Sequence, residues 1–187
     1  MKFSIAAITT ALIASAFSSA ACKPAHHMQH KTTNAIAYIT GSNPVITGSV
    51  TFTQTGPRGE TQIFANITGL TEGKHGLHVH ELGDLSNGCT SLGAHYNPFN
   101  HTHGGTEGEN RHAGDFGNII ANADGTATLN LTIDTVHLGG PFSVIGRGIV
   151  LHSGEDDLGL GGSPLSNTTG NSGDRWACGV IGYAASA

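Results

Sequence analysis

The chain has 187 residues, 28 of them glycine, with only 11% charged and a formal net charge of −5. That length suits one domain with a real core, with room for a processed leader. So few charges and so many turn formers favour short strands joined by loops over helices. With no basic stripe to displace counterions, nucleic acid is excluded as the main partner.

Residues 1–21 read as a secretory signal peptide. Lys2 gives a charged start, Ile5 to Phe17 an apolar stretch and Ser18-Ser19-Ala20-Ala21 a small-residue cleavage region. The apolar stretch is too short for a membrane span. Cys22 follows directly and raises a lipid anchor, which is disfavoured because Ser19 stands three positions before it, where bacterial lipid-anchoring signals usually carry Leu. Cleavage before Cys22 leaves an odd thiol among three cysteines. Residues 22–33 form a tail in which His26, His27, Met28 and His30 offer a loose copper or zinc site, although a plain polar tail is the preferred reading.

Residues 34–187 read as the folded domain. Ala35 to Ile39 is a first strand and Gly41-Ser42-Asn43-Pro44 a turn. Ile46, Gly48, Val50 and Phe52 alternate with Thr47, Ser49, Thr51 and Thr53, as a half-buried strand should. After a turn at Gly56 to Glu60, Thr61 to Thr68 sets Ile63, Ala65 and Ile67 on one face. Asp124-Gly125 marks another turn, and Leu129, Leu131 and Ile133 then alternate with Asn130 and Thr132. Gly148 to His152 and Cys178 to Tyr183 supply two more short strands. Roughly eight strands at hairpin spacing imply an all-β antiparallel sandwich or barrel, with no repeat and no second domain. Two long segments, 83–112 and 154–177, break the strand rhythm, and connections of that length are usually functional or disordered. The Gly and Asn content of 159–173 permits disorder, whereas the histidines of the first segment argue for order imposed by metal.

Those histidines are concentrated between Gly73 and Asp115. His78 and His80 are two apart on a strand, so they share a face while Leu77 and Val79 point into the core. His152 ends another strand in the same way. With His95 they give four imidazole nitrogens, a set that suits Cu(II) better than a hard ion. His95, His103, His112 and Asp115 form a second set, three imidazoles and a carboxylate, which suits a closed zinc site. His95 belongs to both, and its two ring nitrogens allow it to bridge the ions. His101 competes for the second set, with His103 preferred. His75 reads as structural, holding a ligand loop by a hydrogen bond, and His137 as a surface residue.

Several stretches then resemble the copper/zinc superoxide dismutase family: Gly-Leu-His-Val-His-Glu, Gly-Cys-Thr-Ser, His-Tyr-Asn-Pro, His-Gly-Gly, Arg-His-Ala-Gly-Asp-Phe-Gly-Asn, Asp-Asp-Leu-Gly and Gly-Asp-Arg-Trp-Ala-Cys-Gly-Val-Ile-Gly, in order over Ala35 to Ala184. The resemblance implies an eight-stranded antiparallel Greek-key barrel with two long functional loops. It implies copper on His78, His80, His95 and His152, and zinc on His95, His103, His112 and Asp115, one ion of each per subunit. It also implies that Asp156 links His78 to His103, that Cys89 and Cys178 form a disulfide, and that Arg175 holds an anion beside the copper. Asp157 reads as a solvated loop carboxylate.

The implied activity is dismutation of superoxide to O2 and hydrogen peroxide outside the cytosol, extracellular or periplasmic, by copper cycling with His95 as the bridge. A copper carrier and a copper-delivering chaperone are the rivals, weakened by the complete ligand set and Arg175. Gly83, Val144-Ile145-Gly146 and Val180-Ile181-Gly182 resemble the interface of the family's eukaryote-like homodimers. One departure is clear: the loop that usually carries charges to guide superoxide has none over Gly159 to Thr169. Weak dependence of the rate on salt is expected, unless Lys74 or another site supplies the field. Asn66, Asn100, Asn130 and Asn167 each head an N-x-Ser/Thr sequon, with Asn66 and Asn130 expected to face solvent.

Overall fold

The computed structural model describes residues 31–42 and 44–185. The leader and the histidine tail before Lys31, Cys22 included, lie outside the described residues. The strands are β1 (Thr32–Ser42), β2 (Val45–Thr55), β3 (Thr61–Thr68), β4 (Gly73–Val79), β5 (Ser86–Cys89), β6 (Asp115–Ala121), β7 (Thr126–Ile133), β8 (Gly148–His152), β9 (Arg175–Val180) and β10 (Gly182–Tyr183). A single 3-10 turn spans Thr90–Leu92, and one short helix, α1, spans Ser166–Thr169.

Neighbours in the sheet run β1, β2, β3, β7, β6, β4, β8, β9. β9 returns to β1 through Thr40 and Cys178, so the antiparallel sheet closes into an eight-stranded barrel, with β10 continuing along β1. β4 pairs with β6 and β8 rather than with β3, the crossing of a Greek key. Closure pairs both edges of the eight barrel strands. Alternation does what the sequence led one to expect. Ile63, Ala65 and Ile67 on β3 are buried while Gln62, Phe64 and Asn66 are exposed. The core is filled by Ile39, Phe52, Ile63, Leu77, Phe116, Ile119 and Leu151 among others.

Two breaks in register aim the side chains that matter. Along β4 and β6, Gly76 faces Asn118 but His78 faces Asp115, so β6 carries one extra residue. Gly117 takes φ 69° there, a conformation that glycine adopts without a Cβ penalty. Phe116 and Ile119 both enter the core although they are three apart, and Asp115 is thereby set across from His78. Along β8 and β9, Leu151 faces Ala177 but His152 faces Arg175. Trp176 is the extra residue, and the shift brings Arg175 alongside His152. Bulges of this kind commonly re-aim a side chain next to an active site.

The first long segment is tied down outside the barrel. Leu92, Val150 and Cys178 form a small separate cluster with Cys89 beside it. The Cys89–Cys178 disulfide closes it, with an S–S distance of 2.05 Å across 89 residues of chain. A loop of that size contributes about 4 to 5 kcal/mol in the chain-entropy model, as an upper figure. The second segment is ordered rather than disordered: Asp157 N donates to the Gly170 carbonyl at 2.8 Å and α1 interrupts the run. β9 begins at Arg175, three residues before the expected start, and β6 was not anticipated at all. Among the described residues no helix is long and apolar enough to cross a membrane.

Candidate metal centre

β4 puts Leu77 and Val79 into the core, so His78 lies on the outer wall of the barrel, where it is fully buried by the covering loops. His80, just past the strand, bridges to His95. His152 ends β8 on the same side. Each of the four rings is held by a hydrogen bond from one nitrogen. His78 Nε2 donates to Asp156 Oδ2 at 2.9 Å, and His80 Nδ1 to the Gly93 carbonyl at 2.9 Å. His95 Nδ1 pairs with Asp115 Oδ1 at 3.0 Å, and His152 Nδ1 with the Gly173 carbonyl at 3.3 Å. The remaining nitrogens, His78 Nδ1 and Nε2 of His80, His95 and His152, are buried without any partner.

Four such orphans in one place are costly unless something accepts their lone pairs. The ligand atoms lie within 4.8 Å of one another, so a single metal ion fits them. Borderline imidazole donors in this number suit copper.

The second group surrounds Asp115. His95 Nδ1 and His112 Nδ1 stand 3.0 and 3.2 Å from Oδ1, and His103 Nδ1 stands 3.0 Å from Oδ2. The backbone N–H groups of Gly104 and His112 also donate to Oδ2, at 3.1 and 2.9 Å. His103 Nε2 is spent on Asp156 Oδ1 at 2.7 Å, and its Nδ1 lacks a well-aligned hydrogen bond despite facing a carboxylate oxygen. A cation at that point satisfies nitrogen and carboxylate together. Proximity alone also places His78 with His95, His103 and Asp115. His78 and His95 both belong to the two sets by proximity, whereas His112 joins neither, although its Nδ1 stands 3.2 Å from Asp115 Oδ1.

The electrostatics follow from burial. Burial first, and then the neighbouring histidines, push His80 and His152 down to about 2 and His95 down to about 3. Their rings stay neutral at pH 7, the form that binds metal. Burial also opposes charge on His103, but the Asp115 and Asp156 carboxylates beside its two ring nitrogens outweigh it and raise the group to about 9. Asp115 is held far below the ordinary carboxylate range by His103, His112 and His95, against its own burial. The loop-side group therefore calls for a positive charge, supplied by a proton or by a metal.

Asp156 joins the groups, one carboxylate oxygen to His78 and the other to His103. Asn118 fixes it in turn: its amide donates to the Asp156 carbonyl and accepts the Asp156 N–H, both at 2.8 Å. Above this bond runs Gly170, with φ 64°. A Cβ there would come 2.0 Å from Asp156 Oδ1 and 2.5 Å from His103 Nε2.

A cavity of about 430 Å³ opens onto His80, His95 and His152 and is walled by Leu165, Thr168 and Arg175. Arg175 donates to the carbonyls of Cys89 at 2.8 Å, Thr90 at 3.3 Å and Gly93 at 2.6 Å. Among the described residues it forms no ion pair with Asp174. Larger hollows of about 870 and 890 Å³ exist, but the first shares no wall with either group and the second touches only His103.

The other expectations divide. His75 is structural, its Nδ1 donating to the His152 carbonyl at 3.0 Å, and so it supports a strand that carries a ligand. His101 turns away to the Arg111 carbonyl at 3.2 Å. His137 is half-buried rather than on the surface, since the buried amide of Gln54 reaches its Nδ1 at 2.9 Å. Asp157 is no solvated carboxylate: it accepts Ser166 Oγ at 2.6 Å and Gly159 N at 3.0 Å, and so shapes the loop. Lys74 is paired with Glu155 at 2.6 Å. Sequence reasoning missed Asn118 and Gly170, as well as Arg147, which lies 3.8 Å over the Tyr96 ring and donates to the Glu81 carbonyl at 2.6 Å.

A closed all-β barrel with two overlapping histidine groups on its outer wall defines a class of metalloprotein. The family model described as copper/zinc superoxide dismutase (SODC) matches residues 46–181, and the chain belongs to that family. It is thus an oxidoreductase, a superoxide dismutase that holds one copper and one zinc per subunit.

Proposed function

We propose that this chain dismutes superoxide with copper held by His78, His80, His95 and His152, and zinc by His95, His103, His112 and Asp115. The observation that carries the first assignment is the convergence of four buried, unpartnered ring nitrogens beside Arg175. Copper supplies one-electron redox chemistry and zinc a fixed positive charge.

The chain's own residues do the rest. Arg175, with its guanidinium fixed by three carbonyls, presents a rigid cation to the superoxide anion. His95 is tied on its Nδ1 side to the Asp115 group, which leaves Nε2 to hold a proton and pass it to the reduced product. A second proton comes from water, so two superoxide and two protons give O2 and hydrogen peroxide. His80 and His152 keep their neutral tautomers through the Gly93 and Gly173 carbonyls.

Three features extend the reading. The Cys89–Cys178 disulfide supports an oxidising, extracellular or periplasmic location, with residues 1–21 as the signal peptide and 22–33 as a tail leading to the barrel of 34–187. A homodimer is supported by half-buried Gly83, Ile145 and Val180 with exposed Leu82 beside them, at one end of β8 and β9. The entrance is neutral, so superoxide arrives by diffusion and is captured by Arg175 at close range.

Replacing His95 tests the bridge. In His95→Ala, superoxide turnover disappears and zinc content drops while the barrel remains folded; full activity in that variant would remove His95 from the mechanism.

A further inference from the structure

The face of the barrel formed by β2, β3 and β7 lies on the far side from β8 and β9 in strand order. None of these strands contains Asp, Glu, Lys or Arg. In the middle of this neutral face stands Phe64, 49% exposed, with no aromatic partner among the described residues. Strand register defines its surroundings. Along β3 the same-face neighbours are Gln62 and Asn66; across β7 lies Asn130, and across β2 Thr51, whose hydroxyl donates to the Phe64 carbonyl at 3.2 Å. The ring is thus an apolar platform encircled by amides and a hydroxyl.

Phe64-Ala65-Asn66-Ile67-Thr68 also contains a complete sequon. Asn66 is exposed, and its side chain makes no hydrogen bond among the described residues. Asn66 and Phe64 lie two residues apart on one face, about 7 Å along the strand. A sugar joined to Asn66 Nδ2 therefore reaches the ring. The apolar C–H face of a pyranose can cover the phenyl ring while its hydroxyls meet the Gln62 and Asn130 amides. Two of the other sequons differ: Asn100 follows Phe99, whose ring already packs on Phe142 at 5.0 Å, and the Asn167 carbonyl holds the His103 N–H at 2.9 Å. Asn130, the remaining one, is exposed directly across from Phe64, so peptide mapping must separate it from Asn66. Gln62 to Ile67 is, moreover, an uncharged run in which Ile63, Phe64 and Ile67 are strong β-formers, a segment that benefits from shielding while a β-protein folds.

We propose that Asn66 carries an N-linked glycan whose first sugar lies over Phe64, shielding the neutral face of β3. The proposal rests on residues 1–21 leading the chain into a eukaryotic secretory pathway.

Secretion from a yeast host tests both parts, once with the chain's own residues 1–21 and once with a leader of the host. The expected result is secretion in both cases, with sugar on Asn66 by peptide mass mapping. The glycosylated protein should melt about 2–4 °C above Asn66→Gln. That increment should vanish in Phe64→Ala and persist in Phe64→Tyr. Failure of the chain's own residues 1–21 to direct secretion overturns the proposal through the leader. An unmodified Asn66 under the host leader, or the same increment in Phe64→Ala, overturns it at the site. None of these readouts depends on dismutase turnover.

Discussion

The two histidine groups are built in different ways. His78, His80 and His152 come from β4 and β8 or the residue just past them, strands whose other faces fill the core. Their placement is inherited from the barrel, and backbone carbonyls or Asp156 finish the orientation. His103 and His112 come from a long loop, and only Asp115 belongs to a strand. That loop is positioned by the disulfide, by Asp115 and by whatever cation lies among its histidines. A strand-borne group is preorganised before metal arrives; a loop-borne group is completed by it. The first is suited to chemistry that changes charge, the second to holding a loop in place.

The contrast is sharpest in a pair of substitutions. His152→Ala should abolish superoxide turnover while zinc content and the melting temperature stay close to the parent's. His112→Ala should lose zinc and lower the melting temperature by more than about 5 °C. Metal analysis and calorimetry on both variants check this, and equal destabilisation by the two would dissolve the distinction. Asp156→Asn is next in size. The variant keeps the shape but loses the acceptor for one of two ring N–H groups, so affinity for both ions should fall by about 10- to 100-fold. Loss confined to a single metal would mean that Asp156 serves one group alone.

In metal-stripped protein the groups separate by pH. His80, His95 and His152 have folded-state values below the unfolded 6.5, so the unfolded state takes up protons first. Stability is present above 6.5 and lost as pH falls toward about 3 for His95 and about 2 for His80 and His152. His103 behaves oppositely: raised from 6.5 to about 9, it contributes fully below 6.5 and its contribution is lost as pH rises through about 9. Melting temperature against pH should fall on both sides of neutrality, the upper part of the acid limb reporting His80, His95 and His152, with Asp115 and Asp156 adding to it below the ordinary carboxylate value. Asp156→Asn should shrink the alkaline limb; an unchanged limb would show that His103 is not its source.

The smallest expected effect is that of salt. No charged residue occurs between Leu158 and Gly173, and the cavity over the first group has Arg175 as its one cation. Raising ionic strength from 0.01 to 0.15 M shortens the Debye length from about 30 to about 8 Å. Across that change kcat/KM should fall by less than about threefold, because little long-range field exists to screen. A steep fall in stopped-flow measurements would point to a charge outside the loop, such as Lys74.

How far the sequence could be read follows from the same contrast. Strands with clean alternation, such as Thr61–Thr68, were legible, and so were His78 and His80, because period two places both on one face. β6 was not, since the extra residue at the Phe116-Gly117 bulge destroys its period. The bulge beside Trp176 hid the true start of β9 in the same way. Those irregularities are what put Asp115 across from His78 and Arg175 across from His152, so the functional positions were the ones the periodic signal could not place. Asp115 was expected instead from its spacing after three histidines, and Arg175 from a family motif. Order in the loop over 154–173 was also hidden. It depends on Asp157 reaching Ser166 and Gly170, contacts within the loop that composition does not report.

Gly170 gives that loop a division of labour that bears on how the protein can change over generations. Its backbone lies so close to the Asp156–His103 bond that any side chain would collide with it. Yet the side chains of Leu160, Leu165 and Thr168 around it are exposed, the last two at the entrance. Mutation can therefore rewrite the chemistry of the entrance, even stripping it of charge, provided the path of the main chain is kept. The centre constrains the loop through the main chain at Gly170, and leaves the side chains of the entrance outside that constraint.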